Sequence, residues 1–141
     1  MSDDNGLATG WVWTTVSEIA SVGTGTTPSR TQDRYWSDGR IPWITSSAVN
    51  LPFVSEAEQF VTDQALANTT LKVYPKNTLI VALYGEGKTR GKVSELLIDA
   101  TINQALAALG LHITDQAHRR FVKYFLQSNY AALRRQAAGG M

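Results

Sequence analysis

The segment that indicates the fold most directly is TLIVALY, residues 78–84. It is apolar almost throughout and includes β-branched residues, which is typical of a buried central strand. It leads into a loop of unusual composition, YGEGKTRGK at residues 84–92, and a further extended stretch follows at residues 93–98. We therefore expect a sheet with this loop at the end of its central strand.

Shorter apolar stretches before this segment predict additional strands at residues 11–15, 19–22 and 41–44. Between them lie a glycine- and threonine-rich stretch at residues 23–29 and a turn-like Ser-Asp-Gly at residues 37–39. Glycine, proline and hydroxyl-bearing residues favour loops. The N-terminal half is thus predicted to consist of short strands joined by loops.

The rest of the chain favours helices. Residues 62–66 predict a brief helix, with Thr62 positioned to cap it. Residues 100–109 fit either a helix or a buried strand. From Asp115 onward, apolar residues recur at spacings of three and four, with a break at Asn129. The predicted class is α+β: a twisted, mostly antiparallel sheet with short helices and C-terminal helices.

Length and composition indicate one globular domain. The chain has 141 residues, 43% hydrophobic and 18% charged, enough for a single core. We predict a flexible N-terminus at residues 1–10 and a single domain at residues 11–141. The absence of cysteine excludes disulfides, thiolate zinc sites and cysteine nucleophiles. No apolar run approaches a membrane span of about 20 residues, and the polar start lacks a secretion signal, so a cytoplasmic protein is expected.

The net charge of +1 conceals an uneven distribution of charge. Residues 1–63 contain eight acidic residues and three arginines, whereas residues 64–141 contain ten basic and four acidic residues. The corresponding net charges are −5 and +6. This asymmetry points to a basic face and a polyanionic partner.

The loop at residues 84–92 is the strongest candidate for a binding site. Lys88, Thr89, Arg90 and Lys92 follow one another closely among glycines. Glycines let backbone amides approach a phosphate, and an arginine can bind a guanine edge with both arms of its guanidinium. The alternative is a solvated hairpin tip.

A nucleotide-binding loop is a second alternative for the same segment. Residues 82–89 nearly match G-x-x-x-x-G-K-[ST], and they follow a predicted strand. However, Ala82 replaces the first glycine, and Gly91 falls where a helix should begin. Asp99 follows too closely to bind magnesium after a helical crossover.

Catalysis has little support in the sequence. His112 and His118 are six residues apart and have no neighbouring nucleophile or metal-ligand cluster, and Glu56 and Glu58 are interpreted as solvated. We therefore predict that the chain is not an enzyme. Most of the tryptophans are expected in the core, and the charged residues of the terminal helices on a solvated face: Arg119, Arg120, Lys123, Arg134 and Arg135.

The order of the segments carries a resemblance to a known family. Each of the following stretches has a similar counterpart there: GTTPS at 25–29, YW at 35–36, IPWI at 41–44, VTDQAL at 61–66, YPKNTL at 74–79, YGEGKTRGK at 84–92, TINQA at 101–105 and FVKYFL at 121–126. Together they resemble a target recognition domain of type I restriction–modification specificity subunits. Members of that family continue into a long spacer helix and a second domain, so we expect a fragment, an isolated domain or a half-size subunit.

The resemblance implies sequence-specific recognition of one half of a bipartite double-stranded DNA target. Its partners would be a methyltransferase subunit, a restriction and translocase subunit and, for a half-size subunit, a second copy of the chain, with no membrane. The chain would bind no cofactor, since S-adenosylmethionine and ATP would bind the partner subunits. The other open class is a protein-interaction module without DNA affinity.

The predicted DNA contacts are centred on the loop at residues 84–92. Lys88, Thr89, Arg90 and Lys92 form the core, and the supporting residues are Tyr84, Arg30, Arg34, Ser46 and Ser47. Asn103 and Gln104 either read adenine with two hydrogen bonds or support the loop structurally.

Overall fold

The computed structural model describes residues 14–85 and 87–138. The flexible N-terminus predicted at residues 1–10, most of the strand predicted at 11–15, and Trp11 and Trp13 therefore lie outside the described residues. The strands are β1 Ala20–Thr24, β2 Ile41–Ile44, β3 Phe53–Val54, β4 Gln59–Val61, β5 Leu79–Ala82, β6 Val93–Leu96, β7 Thr101–Ile102 and β8 Leu106–Leu111. The α-helices are α1 Val16–Ile19, α2 Asp63–Asn68, α3 Gln116–Ser128 and α4 Tyr130–Ala138, and short 3-10 helices span Asp33–Tyr35 and Ser46–Asn50.

The larger sheet has five strands in the order β1-β8-β5-β6-β3. All four residues of β5 are buried, and the strand pairs antiparallel with β6 and β8. Among the described residues, the pairing of β3 with β6 is the only parallel one in this sheet. The prediction that the apolar segment forms a central strand is confirmed.

The smaller sheet has the order β4-β2-β7, with β2 antiparallel to β4 and parallel to β7. Its core cluster contains Tyr35, Trp43, Val61, Ala65 and Leu71, which joins the sheet to α2. The α+β class with mostly antiparallel strands is confirmed, although the strands form two sheets and each sheet contains one parallel pair.

Helix α3 covers one face of the larger sheet. Val122 and Leu126 pack in a buried cluster with Leu79, Val81 and other residues of the sheet. The helix begins where Asp115 accepts a hydrogen bond from the His118 backbone amide at 2.7 Å. Asn129 separates α3 from α4, as predicted. No helix in the described part of the chain is both long and apolar enough to cross a membrane.

The structure corrects two local predictions and decides a third point that the sequence left open. Thr62 lies at the N-cap of α2 but does not cap it, because its hydroxyl donates to the Arg34 carbonyl instead. Residues 14 and 15 are not in a strand, and Thr15 precedes α1. The ambiguous stretch at residues 100–109 is extended and belongs to β7 and β8.

The prediction of a solvated charged face on the terminal helices is wrong for two residues of α3. Arg119 Nε donates to Glu95 Oε2 at 3.0 Å, and Lys123 Nζ lies 3.7 Å from Glu95 Oε1. Lys123 Nζ also donates to the Pro52 carbonyl at 2.6 Å. Burial lowers the pKa of Lys123, and the nearby carboxylate of Glu95 opposes that effect. Glu95 lies in β6 beneath the helix and is itself buried. The charges of Arg119 and Lys123 are therefore paired inside the protein.

Candidate nucleic-acid interface

The loop at residues 83–92 connects two antiparallel strands, β5 and β6. Its base is closed by hydrogen bonds from the Gly91 amide to the Ala82 carbonyl at 2.8 Å and from the Ala82 amide to the Lys92 carbonyl at 3.0 Å. A nucleotide-binding loop instead runs from a strand into a helix whose N-terminus holds the phosphates. The nucleotide-binding alternative is therefore wrong for this segment.

Helix α4 holds the loop along one side. The Tyr130 hydroxyl donates to the Lys88 carbonyl at 2.5 Å. Arg134 Nη1 donates to the carbonyls of Gly87 at 3.0 Å and Arg90 at 2.9 Å. We call these three hydrogen bonds the α4 latch. Because Arg134 is engaged in them, it too departs from the solvated face that the sequence predicted.

Gly91 lies where the loop meets α4 most closely. Its φ is +91°, and a Cβ atom there would lie 2.7 Å from Arg134 Cγ. A side chain is therefore excluded both by the backbone conformation and by the contact with the helix.

The other side of the loop is held by the 3-10 helix Ser46–Asn50. Thr89 is 8% exposed, and its hydroxyl donates to Asn50 Oδ1 at 3.1 Å. Thr89 was expected to contact DNA. The structure instead places it inside the protein, where it anchors the loop, so it is removed from the set of candidate contacts.

Lys88 and Lys92 lie together at a groove of about 380 Å³. The groove runs between the 3-10 helix, the loop and the junction of α3 with α4, and its apolar lining includes Val49, Leu51 and Pro52. Lys88 is exposed and Lys92 is half-buried. The structure thus brings these two predicted residues to one open groove with a mainly apolar lining; we call it the lysine groove.

Arg90 and Tyr84 lie in the same loop but do not line the lysine groove. Tyr84 is exposed. Arg90 is half-buried, and its Nε atom is enclosed without a hydrogen-bond partner among the described residues. A buried N–H donor without an acceptor is energetically unfavourable. The position of this guanidinium therefore contributes little to the stability of the folded protein.

A second group of predicted residues surrounds the loop that follows β1, at residues 25–32, which we call the first loop. The Arg30 guanidinium carbon lies 3.9 Å from the ring centroid of Trp36, and its Nη2 donates to Gln59 Oε1 at 2.7 Å. Arg34 is exposed and its Nη2 donates to the Tyr35 hydroxyl at 3.3 Å. The Arg30 guanidinium is thus held against the ring of Trp36, although Arg30 remains exposed to solvent.

Two tryptophan side chains also hold the first loop just before Arg30. The indole N–H groups of Trp36 and Trp43 donate to the carbonyls of Ser29 and Thr26 at 3.1 and 3.0 Å. Trp43 is buried, as predicted for the core tryptophans. The loop is therefore held by Trp43 of the smaller sheet and by Trp36, which follows the 3-10 helix Asp33–Tyr35.

Asn103 and Gln104 have different environments. Asn103 Oδ1 accepts from the Ala105 amide at 3.0 Å and shapes the turn between β7 and β8. This contact favours the structural alternative for Asn103. Gln104 is exposed, and its Oε1 accepts from the Thr27 hydroxyl at 2.7 Å, which places it beside the first loop.

The two predicted serines lie on the 3-10 helix between these groups. Ser46 is half-buried, whereas Ser47 is exposed with its Oγ 3.2 Å from the Thr45 Oγ1. Ser47 and Gln59 line a cavity of about 220 Å³, while Asn50 at the other end of the same helix lines the lysine groove. The helix therefore connects the two groups.

Comparison with known proteins identifies the family. The model for the type I restriction modification DNA specificity domain matches residues 9–141. The chain belongs to this family.

Full-length relatives of this DNA specificity domain are much longer. It is 29% identical over 101 residues to the type I restriction enzyme EcoR124I/EcoR124II specificity subunit of Escherichia coli, which covers 71% of the chain and 25% of that protein. It is 31% identical over 74 residues to the type I restriction enzyme MjaIX specificity subunit of Methanocaldococcus jannaschii, covering 50% of the chain and 17% of that protein. The chain thus spans a quarter or less of the curated relatives it matches.

Solved structures share the fold. The HsdS subunit from Thermoanaerobacter tengcongensis superposes with a TM-score of 0.68 at 17% identity, covering 93% of this chain and 30% of that one. The S subunit of a type I restriction–modification system from M. genitalium superposes with a TM-score of 0.56 at 18% identity. The match covers 95% of this chain and 31% of that one. These similarities establish that the DNA specificity domain has the fold of a part of such subunits, about a third of their length.

Sequence reasoning missed several residues that shape the site in this DNA specificity domain. Asn50, Gln59, Tyr130 and Arg134 hold the predicted contacts in place through hydrogen bonds to distant parts of the chain. The four-residue spacing of Tyr130 and Arg134 places them on one helix face, but nothing local indicates which loop that face contacts. Within the described ranges, no group of three acidic or histidine residues could hold a metal ion.

Proposed function

We propose that this domain recognises one half of a bipartite double-stranded DNA target as part of a type I restriction–modification specificity subunit. The observation that carries the proposal is the lysine groove beside the latched loop, in a chain that belongs to a DNA specificity family. Lysines suit contacts to phosphate, which position a protein on the duplex, whereas contacts to base edges provide specificity.

The loop residues have separate roles in this proposal. Lys88 and Lys92 bind backbone phosphates from the rim of the groove. Arg90 and Tyr84 reach base edges, and Arg90 leaves its enclosed position to do so. Arg90 Nε has no partner among the described residues, so this atom loses no hydrogen bond to them when the guanidinium binds a guanine.

The first loop contributes a second set of contacts. Arg30 and Arg34 are exposed and carry charge, and Gln104, which accepts a hydrogen bond from Thr27, has an amide that can read adenine. Ser47 lies between the two groups and donates to a phosphate. A guanidinium held on an aromatic ring is already ordered, so less conformational entropy is lost when Arg30 binds DNA.

We further propose that the domain performs no chemistry. A separate methyltransferase subunit would bind S-adenosylmethionine and modify the target, and a restriction and translocase subunit would use ATP. This division is supported by the family of the chain and by its local chemistry: neither histidine adjoins a nucleophile in the sequence. Where a subunit carries a single recognition domain, a second copy supplies the other half of the target.

Co-expression with candidate methyltransferase subunits, followed by genome-wide mapping of methylated sites, tests the proposal. We expect methylation at one recurring motif that disappears when the domain is omitted. Methylation that is unchanged without the domain contradicts the proposal. Binding to the methyltransferase without any salt-sensitive affinity for DNA would instead identify a protein-interaction module.

The salt dependence of DNA binding provides a physical test. Five cations are proposed to contact DNA: Lys88, Arg90, Lys92, Arg30 and Arg34. If all five displace counterions, the logarithm of the affinity falls with the logarithm of the salt concentration with a slope of about −4.5. A slope near zero, measured by fluorescence anisotropy over a salt titration, contradicts this interface.

A further inference from the structure

We propose that Tyr130 and Arg134 of α4 are positioning residues that set the conformation of the DNA-reading loop. In this arrangement, the sequence preference of the domain depends on where its C-terminal helix lies. The inference rests on the proposed function, because it concerns the same loop.

The contacts that support this are concentrated in a short stretch of the loop. Three carbonyls within four residues, those of Gly87, Lys88 and Arg90, accept hydrogen bonds from two side chains of α4. Arg134 Nη1 also donates to the Tyr130 hydroxyl at 2.9 Å, so the two side chains support each other. One pair of residues therefore fixes the backbone of the loop tip.

The loop needs such support because glycine is frequent in it. Gly87 has a φ of +58°, and a Cβ atom there would meet nothing within 4 Å, so the local packing does not restrain it. Glycine has the largest conformational freedom of any residue. A loop ordered by the α4 latch before binding loses less entropy on DNA and fixes the backbone position from which the Arg90 side chain extends.

Arg134 also contributes charge to the interface. Its Nη1 lies within hydrogen-bond distance of three neutral oxygens, whereas the ion pairs found between described residues are those of Glu95 with Arg119 and Lys123. Its positive charge is therefore added to that of the neighbouring Lys88 and Arg90 without being cancelled by a carboxylate in the described part of the chain. This raises the potential where a phosphate approaches.

The backbone of α4 is coupled to the loop as well. A Cβ atom added to Gly91 would lie 3.2 Å from the Arg134 amide nitrogen and 3.3 Å from the Tyr130 carbonyl oxygen, so the loop backbone lies close to that of α4. Asn129 separates α4 from α3, which is packed on the sheet. A change in the angle between the two helices would therefore displace the loop while the sheet stays in place.

The test compares Arg134→Met and Tyr130→Phe with a matched control, Arg135→Met. Arg135 is exposed and adjacent, so its substitution removes the same charge without breaking the α4 latch. Each full-length chain is selected against a randomised double-stranded DNA library, alone and with its methyltransferase subunit. The affinity for the duplex selected by the wild type is then compared with that for a scrambled duplex, and thermal unfolding is recorded in parallel.

We expect Arg134→Met to lower the preference for the selected duplex by about tenfold, within the range of one base contact, and Tyr130→Phe to lower it less. Arg135→Met should retain the preference. Amide hydrogen exchange at residues 87–91 should become faster in Tyr130→Phe, which keeps the ring, while exchange in β5 and β6 is unchanged.

Two results would overturn the inference in distinguishable ways. If Arg134→Met and Tyr130→Phe weaken binding to both duplexes equally, or merely lower the melting temperature, then the α4 latch is structural and does not position the loop. If Arg134→Met does not fold, Tyr130→Phe decides between these outcomes. A wild-type domain without any sequence preference, alone or with the methyltransferase, would reject the proposed function itself.

Discussion

At the scale of single residues, the predicted contacts divide according to what their side chains touch. Thr89 and Asn103 are occupied by hydrogen bonds within the protein, to Asn50 and to the Ala105 amide. Lys88 and Gln104 are exposed, and Arg90 is half-buried with an unpartnered Nε among the described residues. The sequence placed all of them in the candidate interface, with a structural alternative for Asn103 and Gln104, but their surroundings differ.

The Arg90→Ala substitution should reduce sequence discrimination with little effect on the stability of the domain. We expect it to cost about 1–3 kcal/mol of discrimination at one base position, because one bidentate contact is lost. The free energy of unfolding should change by less than about 1 kcal/mol, since the guanidinium makes no hydrogen bond through Nε. Competition binding with single-base variants of the target measures the first and urea denaturation the second. Equal weakening on every sequence would assign Arg90 to phosphate instead.

Lys88→Ala should weaken all sequences alike. Losing one phosphate contact makes the salt slope less negative by about 0.9, and Lys88→Ala combined with Lys92→Ala doubles that change. The control is Lys76→Ala, since Lys76 is exposed and precedes the opposite end of β5. Salt titrations measure the slopes, and an unchanged slope in the double variant would remove the lysine groove from the interface.

At the scale of elements, α3 is joined to the sheet by apolar packing and by a buried charge cluster. Side-chain exposures are 6% for Glu95, 12% for Arg119 and 9% for Lys123. Lys123 Nζ also lies 3.5 Å from the ring centroid of Phe53. Because the cluster reaches both β6 and β3, it fixes the helix from which α4 continues.

Glu95→Gln should destabilise the domain by about 3–5 kcal/mol, because it keeps the shape but leaves two largely buried cations without a counter-charge. Guanidinium denaturation measures this, with the exposed Glu58→Gln as the control. A loss below about 1 kcal/mol would show that water or rearrangement compensates the two cations.

Lys123 adds a pH dependence of defined sign. Its pKa is lower in the folded protein than the ordinary value of 10.5, because burial disfavours the ammonium form. The unfolded chain then binds more protons than the folded one between these two pKa values, so this residue makes unfolding free energy rise with pH in that window and stay constant below it. We expect the stability of the wild type relative to Lys123→Met to increase as pH approaches 10.5. A decrease in that window would contradict the assigned direction.

At the scale of the whole molecule, the sequence predicts what local pattern encodes. The uniform apolar run of β5 and the helical spacing of α3 were recognisable because each reflects burial of one short segment. The division into two sheets was not predicted, since it depends on which short strands pair. Residues 100–109 fitted either a helix or a strand by local pattern. Their extended conformation follows from the pairing of β7 with β2 and of β8 with β1 and β5.

The support of the site was not predictable for the same reason. Arg134 binds a carbonyl 47 residues away, Lys123 one that is 71 residues away, and Arg30 an amide that is 29 residues away. An arginine in an amphipathic helix usually faces solvent, so its charge alone gives no sign of such a contact. Only the tertiary fold shows which charges are free to meet a ligand.

The α4 latch has one further consequence, for engineering. Tyr130 and Arg134 bind carbonyl oxygens of the loop backbone, which every amino acid provides, and not its side chains. The amino acids at positions 88 and 90 can therefore be replaced while the loop keeps its support, provided Gly91 is retained. A library randomised at those two positions on an otherwise constant scaffold is the natural starting point for domains that read new targets.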